Sequence, residues 1–354
     1  MSSRYPHLRR LKIPHEIVYT DALVKSLMLI AETKPFFDGY LGTPQEVTLL
    51  RKAKVRAITY SNQIEGNHLG ESEVTALLQG KRVAGSKKDV KEVQNYHQAL
   101  DYVERLIEGP RPIKIADMCD LQKMVTQGLI EESQCGRVRS ISVSIVNAST
   151  GAKIEECPQP HELRDLLDDL WHWLDDTKDI NPFARAFAFH FIAVSIHPFA
   201  DGNGRTVRLM QHALLLLAGQ RLARFVPSET AIMSGRERYY AAIRQSRSLG
   251  SLHPILEFLA DCFAVSSEEV VGEGRQLLRE SARKTPEVRH RRILTQAKKR
   301  GDFAIQDVIG WMPDVPRRTV ERDLATLVKK RALKTRGESK SKTYRLVIRT
   351  QSRP

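Results

Sequence analysis

HPFADGNGRTVR, His197 to Arg208, is the stretch on which the reading of this chain turns. The segment before it, NPFARAFAFHFIAVSI (181–196), is apolar on nearly every face, which predicts a central, buried helix. Asn181 followed by Pro182 supplies a cap and a first-turn proline. The segment after it, RTVRLMQHALLLLAG, predicts a second buried helix that stops at Gly219. Working outward, VTLLRKAKVRAITYSNQIEG and HELRDLLDDLWHWLDD repeat apolar residues near the helical period. The expected fold class is therefore mainly α. One segment departs from it: GRVRSISVSIVNASTGAKIEECPQP (136–160) alternates small polar and β-branched residues, with turn chemistry at 147–151, and predicts a β-hairpin.

The loop between the two helices holds residue types that packing does not ask for together. Gly202 and Gly204 allow backbone conformations in which successive N–H groups form an anion-binding nest. The loop opens into a helix N-terminus, which adds positive potential. Arg205 and Arg208 lie three apart on the first helical turns, and two planar guanidiniums over a nest suit a di- or triphosphate. Asp201 is a natural Mg²⁺ ligand beside phosphates. Asn203 can donate to a phosphate oxygen without adding charge, and His197 can serve as a general base near neutral pH. A base, a metal carboxylate, a nest and two arginines describe transfer from a nucleotide to a hydroxyl. No P-loop and no strand-borne G-x-G-x-x-G is present.

HPFADGNGRTVR matches without departure the signature H-P-F-x-D/E-G-N-G-R-x-x-R of Fic-domain proteins, and the resemblance extends over about residues 30–265. It implies a helical core that transfers AMP from ATP to a hydroxyl of a target protein. His197 would deprotonate the target Ser, Thr or Tyr, and Asp201 would bind Mg²⁺. Gly202, Asn203, Gly204 and Arg205 would hold the α- and β-phosphates, with Arg208 at the γ-phosphate. The hairpin at 136–160 fits the family's flap, with Ser142, Val143, Ser144, Ile145 and Val146 pairing main chain to main chain with the target. Tyr239 and Tyr240, in RERYYAAI, are candidates for the base pocket, though ordinary helix packing explains them equally well.

TYSNQIEGNHL (59–69) closes a helical pattern and places Ser61 and Glu65 on one face. Its core, SNQIEGN, fits the family's inhibitory motif [S/T]-x-x-x-E-[G/N] in the N-terminal position of the second class. A carboxylate paired bidentately with Arg208 would take the place of the γ-phosphate and hold the enzyme off. The same glutamate could instead support removal of AMP.

The last eighty residues have a separate character. Of the 56 Lys and Arg and 42 Asp and Glu, residues 275–354 hold 23 and 8, leaving 33 and 34 for the rest. A basic module on a neutral body suggests a polyanionic partner. Three short helical patterns, a Gly/Ser turn (GESKSK, 337–342) and a strand ending in YRLVI resemble bacterial winged-helix domains. Arg317, Arg318, Thr319 and Arg322 would then lie at the start and on one face of a recognition helix. DNA is the expected partner, with protein docking as the alternative. The expected organisation is a helical region over 1–110 with the inhibitory helix at about 48–66. A Fic core would follow over 111–265, a linker helix over 266–288 and the winged helix over 289–354.

Four scattered cysteines without C-x-x-C fit a reducing cytoplasm, and no apolar run reaches ~18 residues, so no membrane partner is expected. A homodimer fits the sequence as well as a monomer. Two alternatives remain beside AMP transfer from ATP. One is a nucleic-acid-binding regulator whose Fic core senses nucleotide. The other is a Fic enzyme with another donor, because the phosphate-cradling residues do not read the base.

Overall fold

The computed structural model describes residues 4–40, 42–109, 112–146, 153–284, 286–313, 315–337 and 342–347. It is mainly helical: α1 Pro6–Arg10, α2 Asp21–Asp38, α3 Pro44–Ile64, α4 Glu71–Leu78, α5 Lys87–Leu106, α6 Ile115–Thr126, α7 Leu163–Asp176, α8 Pro182–Ile196, α9 Asn203–Leu217, α10 Glu229–Ser234, α11 Arg236–Leu249, α12 His253–Lys284, α13 Pro286–Arg300, α14 Ile305–Trp311 and α15 Arg317–Lys329. The short strands are β1 Ser144–Val146, β2 Lys153–Glu156, β3 Asp302–Ala304, β4 Leu333–Arg336 and β5 Thr343–Leu346. The chain divides into two compact units, 1–271 and 272–354.

Helix starts follow from local chemistry. The Thr43 hydroxyl accepts from the Glu46 N–H and Pro44 follows it, which fixes the start of α3. Ser86 caps α5 in the same way, accepting from the Asp89 N–H at 2.9 Å. Asn181 Oδ1 accepts from the Phe183 and Ala184 amides, so α8 starts where its Asn-Pro pair predicts. At the other end of α9, Gly219 adopts φ +74° just past the last turn and stops the helix.

In the first unit α8 is the centre. Every residue from Phe187 to Ile196 is buried, as its all-round apolar sequence requires. Helix α9 packs along it, and α3, α5 and α6 pack around α9, so the loop between α8 and α9 is walled by three further helices. Strands β1 and β2 pair antiparallel, Ser144 opposite Glu156 and Ile145 opposite Glu155, with a register irregularity before Val146. The expected turn at 147–151 lies outside the described residues.

In the second unit three helices pack on a three-stranded antiparallel sheet of order β3-β5-β4. The sequence suggested one strand here, and there are three. Residues 302–304 and 333–336 are too short to show alternation and gain their strand character from pairing with β5. Ile293, Phe303, Val308, Val320, Leu324, Leu327 and Leu333 form a continuous core of their own. Most of the expected wing tip, 338–341, lies outside the described residues.

Candidate active site

The α8–α9 loop is built so that helix amides stay open. His197 ends α8 in the left-handed region at φ +51°, a conformation that costs a non-glycine residue roughly 1 kcal/mol. Gly202 caps α9 at φ +80° without a side-chain hydrogen bond to the helix. A Cβ there would also lie 2.7 Å from Thr126 Cγ2, so both conformation and packing against α6 require glycine. The first amides of α9 are thus available to an anion.

An anion is already there. A Cβ on Gly204 would lie 2.2 Å from Glu65 Oε1, so the carboxylate at the end of α3 sits directly over the α9 N-terminus. Arg208 Nη2 donates to Glu65 Oε1 at 2.9 Å and to the Ser61 carbonyl at 2.8 Å, while Arg208 Nε donates to Ser61 Oγ at 2.8 Å. The sequence reading of Ser61, Glu65 and Arg208 as one group thus matches the geometry, with one correction. The pair is not bidentate. Ser61, one turn before Glu65, takes Nε and shares Nη2, so the carboxylate meets a single edge nitrogen. Arg208 Nη1 is buried with no hydrogen-bond partner among the described residues. Burial would raise the pKa of Glu65, but Arg208 and then Arg205 outweigh it and hold the carboxyl below its ordinary value.

Arg205 is likewise buried, with Nη1 3.3 Å from Glu92 Oε1 on α5. Glu92 Oε2 accepts from Asn67 Nδ2 at 2.8 Å. One carboxylate therefore ties the first loop arginine to the segment that follows Glu65. The sequence reading missed Glu92 because α5 lies more than a hundred residues before the loop.

His197 is largely buried and its imidazole pKa is lowered. Burial is the main cause; a hydrogen bond to the Val194 carbonyl opposes it and the Arg139 guanidinium adds to it. A neutral imidazole near neutral pH is what a general base requires. Asp201 stands at the exposed rim, its Oδ1 accepting from the Gly202 N–H at 2.5 Å and 3.9 Å from Arg205 Nη2. Among the described residues no cluster of three or more His, Cys, Asp or Glu could hold a metal by itself. One rim carboxylate beside an anion nest fits Mg²⁺ of the kind that completes its shell with phosphate oxygens.

Two expected residues are placed differently. Asn203 does not point at the nest: its Oδ1 accepts from the Phe199 N–H at 3.0 Å and its Nδ2 donates to the Phe199 carbonyl at 2.8 Å. The amide closes the loop on itself, because the tight turn leaves both Phe199 backbone groups facing it. Tyr239 is 3% exposed and its hydroxyl lies 2.7 Å from His190 Nε2, with His190 Nδ1 2.7 Å from Gln211 Oε1. Burial, with Arg208 nearby, pushes His190 down to about 3, so the ring is neutral; it accepts from Tyr239 and donates to Gln211. Tyr239 is therefore a buried residue that bonds His190, with Arg208 nearby. Tyr240 is partly exposed, with Arg236 over its ring at 5.7 Å. In the hairpin, Ser142 and Ser144 are exposed and Val143 half-buried, while Ile145 and Val146 are described by backbone alone.

Helices thus surround a central apolar helix that ends in the loop H-P-F-x-D-G-N-G-R. Residues 112–215 match the model of the Fic/DOC family. A protein adenylyltransferase Fic from Nematostella vectensis is 30% identical over 218 residues, 60% of this chain and 48% of that protein. One from Drosophila grimshawi is 28% identical over 221 residues, covering 60% of this chain and 43% of that protein. The chain thus spans about half the length of the curated relatives it matches. Among solved structures, a Fic family protein from Desulfovibrio desulfuricans G20 aligns with a TM-score of 0.65 at 26% identity, over 96% of this chain and 99% of that one. Fic-1 (residues 134–508) from C. elegans shares the fold, with a TM-score of 0.56 at 24% identity over 72% of this chain and 74% of that one.

Proposed function

We propose that this chain is a protein adenylyltransferase that moves AMP from ATP to hydroxyl side chains of target proteins, itself included, and that Glu65 restrains it. The observation that carries this reading is the Glu65 carboxylate over Gly204, paired with Arg208, in a helix N-terminus otherwise open to an anion. His197 would take the proton of the attacking hydroxyl. That oxygen would bond to the α-phosphorus as the bond to the β-phosphate oxygen breaks and pyrophosphate leaves. Nest amides and the two arginines would carry the charge on the phosphates. Mg²⁺, when bound at Asp201 and the phosphates, would neutralise part of the leaving group's charge. With Glu65 in place the outermost phosphate has no room at Arg208, and the nucleotide cannot seat for in-line attack.

The test uses wild type, Glu65→Gly and Glu65→Gly/His197→Ala with Mg²⁺ and ATP, followed by intact mass. The expected outcome is one or more AMP masses on Glu65→Gly, little on wild type and none on the double variant. Absence of AMP from all three, with cell lysate as a source of targets, overturns the reading in favour of another donor or a nucleotide sensor. AMP removal that depends on Glu65 would make the same site a hydrolase.

The second unit is proposed to be a winged-helix module that binds DNA. Arg318 and Arg322 are exposed on α15, and the helix starts without a side-chain cap. Arg317 is also exposed, although its Nε is 3.0 Å from Glu321 Oε1. Thr319 is partly buried. Retarded migration of duplex DNA at low salt, lost in Arg318→Glu/Arg322→Glu, is the expected result. No binding at low salt refutes it. Homodimer formation and a cytoplasmic location remain parts of this proposal that sedimentation and fractionation would check; among the described residues no helix is long and apolar enough to cross a membrane.

A further inference from the structure

Arg139 stands at the root of the hairpin, outside the signature loop, and is 5% exposed. Its guanidinium donates to three carbonyls and, among the described residues, pairs with no carboxylate. Nε donates to the His197 carbonyl at 2.8 Å, Nη1 to the Ile141 carbonyl at 2.8 Å and Nη2 to the Pro158 carbonyl at 2.6 Å. Its own N–H donates to the Pro198 carbonyl at 2.9 Å. Ile141 and Pro158 lie on the two stems of the hairpin, which close on each other where the Cys157 N–H donates to the Val143 carbonyl at 3.2 Å. Burying a guanidinium is costly unless its donors are satisfied, and here the planar fork is spent on three backbone oxygens that no shorter or single-headed donor could span.

The target of each bond matters. One holds the carbonyl of the residue that ends α8 in the left-handed region, and so fixes where the His197 side chain points. The other two hold the stems of the strand pair proposed to carry the target segment. A second side chain works in the same sense: Gln122 on α6 donates to the Asp201 carbonyl at 3.0 Å and accepts from the Gly136 N–H. Loop and hairpin root are thus fastened together from both sides, and of these two side chains Arg139 is the one that reaches His197.

We infer that Arg139 is a positioning residue that fixes the hairpin root and the His197 backbone as one body, so that a hydroxyl held by the hairpin meets the base. This rests on the transfer reading above for its consequence in rate, not for its geometry. The arginine touches no part of the nest, so it should serve alignment and not nucleotide affinity. Misplacing a base by about 1 Å costs on the order of 10²-fold in rate.

The experiment compares Arg139→Met and Arg139→Lys in the Glu65→Gly background. Self-modification rate, MgATP affinity and amide hydrogen exchange are measured on each. Both variants should bind MgATP within about twofold of the parent while kcat falls about 10²-fold at unchanged KM for ATP. Lysine should rescue little, since one ammonium cannot hold three diverging carbonyls. Exchange at the Arg139-position and Cys157 amides should accelerate tenfold or more, with α9 amides unaffected. An unchanged kcat in either variant, or a loss of ATP affinity in proportion to the rate, overturns the inference. If the Glu65→Gly parent transfers no AMP, the transfer reading fails by itself. Exchange then decides the geometric part: unchanged protection at the hairpin root overturns it.

Discussion

The two units use arginine in opposite ways. In the first, the arginines that matter are inside: Arg205 and Arg208 expose 4% and 1% of their side chains, each beside a carboxylate brought from another helix. In the second, Arg318, Arg322, Lys329, Lys330, Arg331 and Lys334 all face outward. The charge ledger follows the same division. Residues 272–354 hold 23 basic and 9 acidic residues, and residues 1–271 hold 33 of each. A buried guanidinium is worth a fixed direction and a short reach; an exposed one contributes to a field that salt can screen. On the proposed function the first unit would place a few phosphates, and the second would attract many.

Salt concentration tests this contrast with the largest effect. If the second unit neutralises about six phosphates, raising salt from 50 to 200 mM should weaken its DNA binding about 10³-fold. AMP transfer by Glu65→Gly over the same range should change by less than about threefold, because its cations are desolvated and screened little. Affinity by fluorescence anisotropy and transfer by labelled ATP, on the same preparation, make the comparison. A flat salt response of the second unit would reassign it to protein docking.

The second unit carries one exception to its own rule. Arg289 is buried and donates through Nη2 to Asp323 Oδ1 at 2.8 Å, with His290 Nε2 3.4 Å from the same oxygen. Asp323 lies on the inward face of α15 and fastens it to α13. Removing one member of such a pair leaves a buried charge and costs about 3 kcal/mol or more. Asp323→Ala should therefore destabilise the second unit by about that amount in urea unfolding, while leaving MgATP binding unchanged. Glu92→Ala in the first unit breaks a pair of similar burial but should also alter MgATP affinity in the Glu65→Gly background, because Arg205 loses its anchor. If both variants leave nucleotide binding unaltered, Glu92 is scaffolding and the contrast between the units weakens.

These pairs also mark what was legible in the sequence. Loop residues His197 to Arg208 could be read because the chemistry is contiguous: nest, base and arginines fall within three turns. Glu65 could be read through the resemblance of SNQIEGN to the family's inhibitory motif; its spacing from Ser61 alone marks only a common helix-end carboxylate. Glu92, Gln122 and Arg139 could not, because each acts on a backbone or side-chain group that folding alone brings near, and none sits in an unusual pattern of its own. Asn203 and Tyr239 show the converse difficulty. A polar residue in or near a motif looks like a ligand-binding group from sequence alone, and the hydrogen bonds of both run to groups inside the protein.

The smallest expected effect concerns protons. In the first unit His197 and Glu65 are both shifted downward, for different reasons: His197 by burial, Glu65 by its arginines against burial. A lowered imidazole pKa means that the base stays neutral as pH falls below about 6.5, and is lost only when pH passes its own lower value. An unshifted imidazole would be about one-quarter neutral at pH 6.0. Glu65→Gly should therefore lose less AMP transfer between pH 7.5 and pH 6.0 than the about fourfold that an unshifted base would lose. The restraint runs with the opposite sign. It needs the carboxylate, which is present above its lowered pKa, so wild type should remain restrained across the whole of that range and down past about 4.3. A pH–rate profile of both proteins reads the two groups together. An acid limb near 6.5 in Glu65→Gly would mean that His197 is wetter than its place at the end of α8 implies. Release of wild type between pH 6 and 5 would mean that Arg208 holds Glu65 less firmly than the shared Ser61 contact suggests.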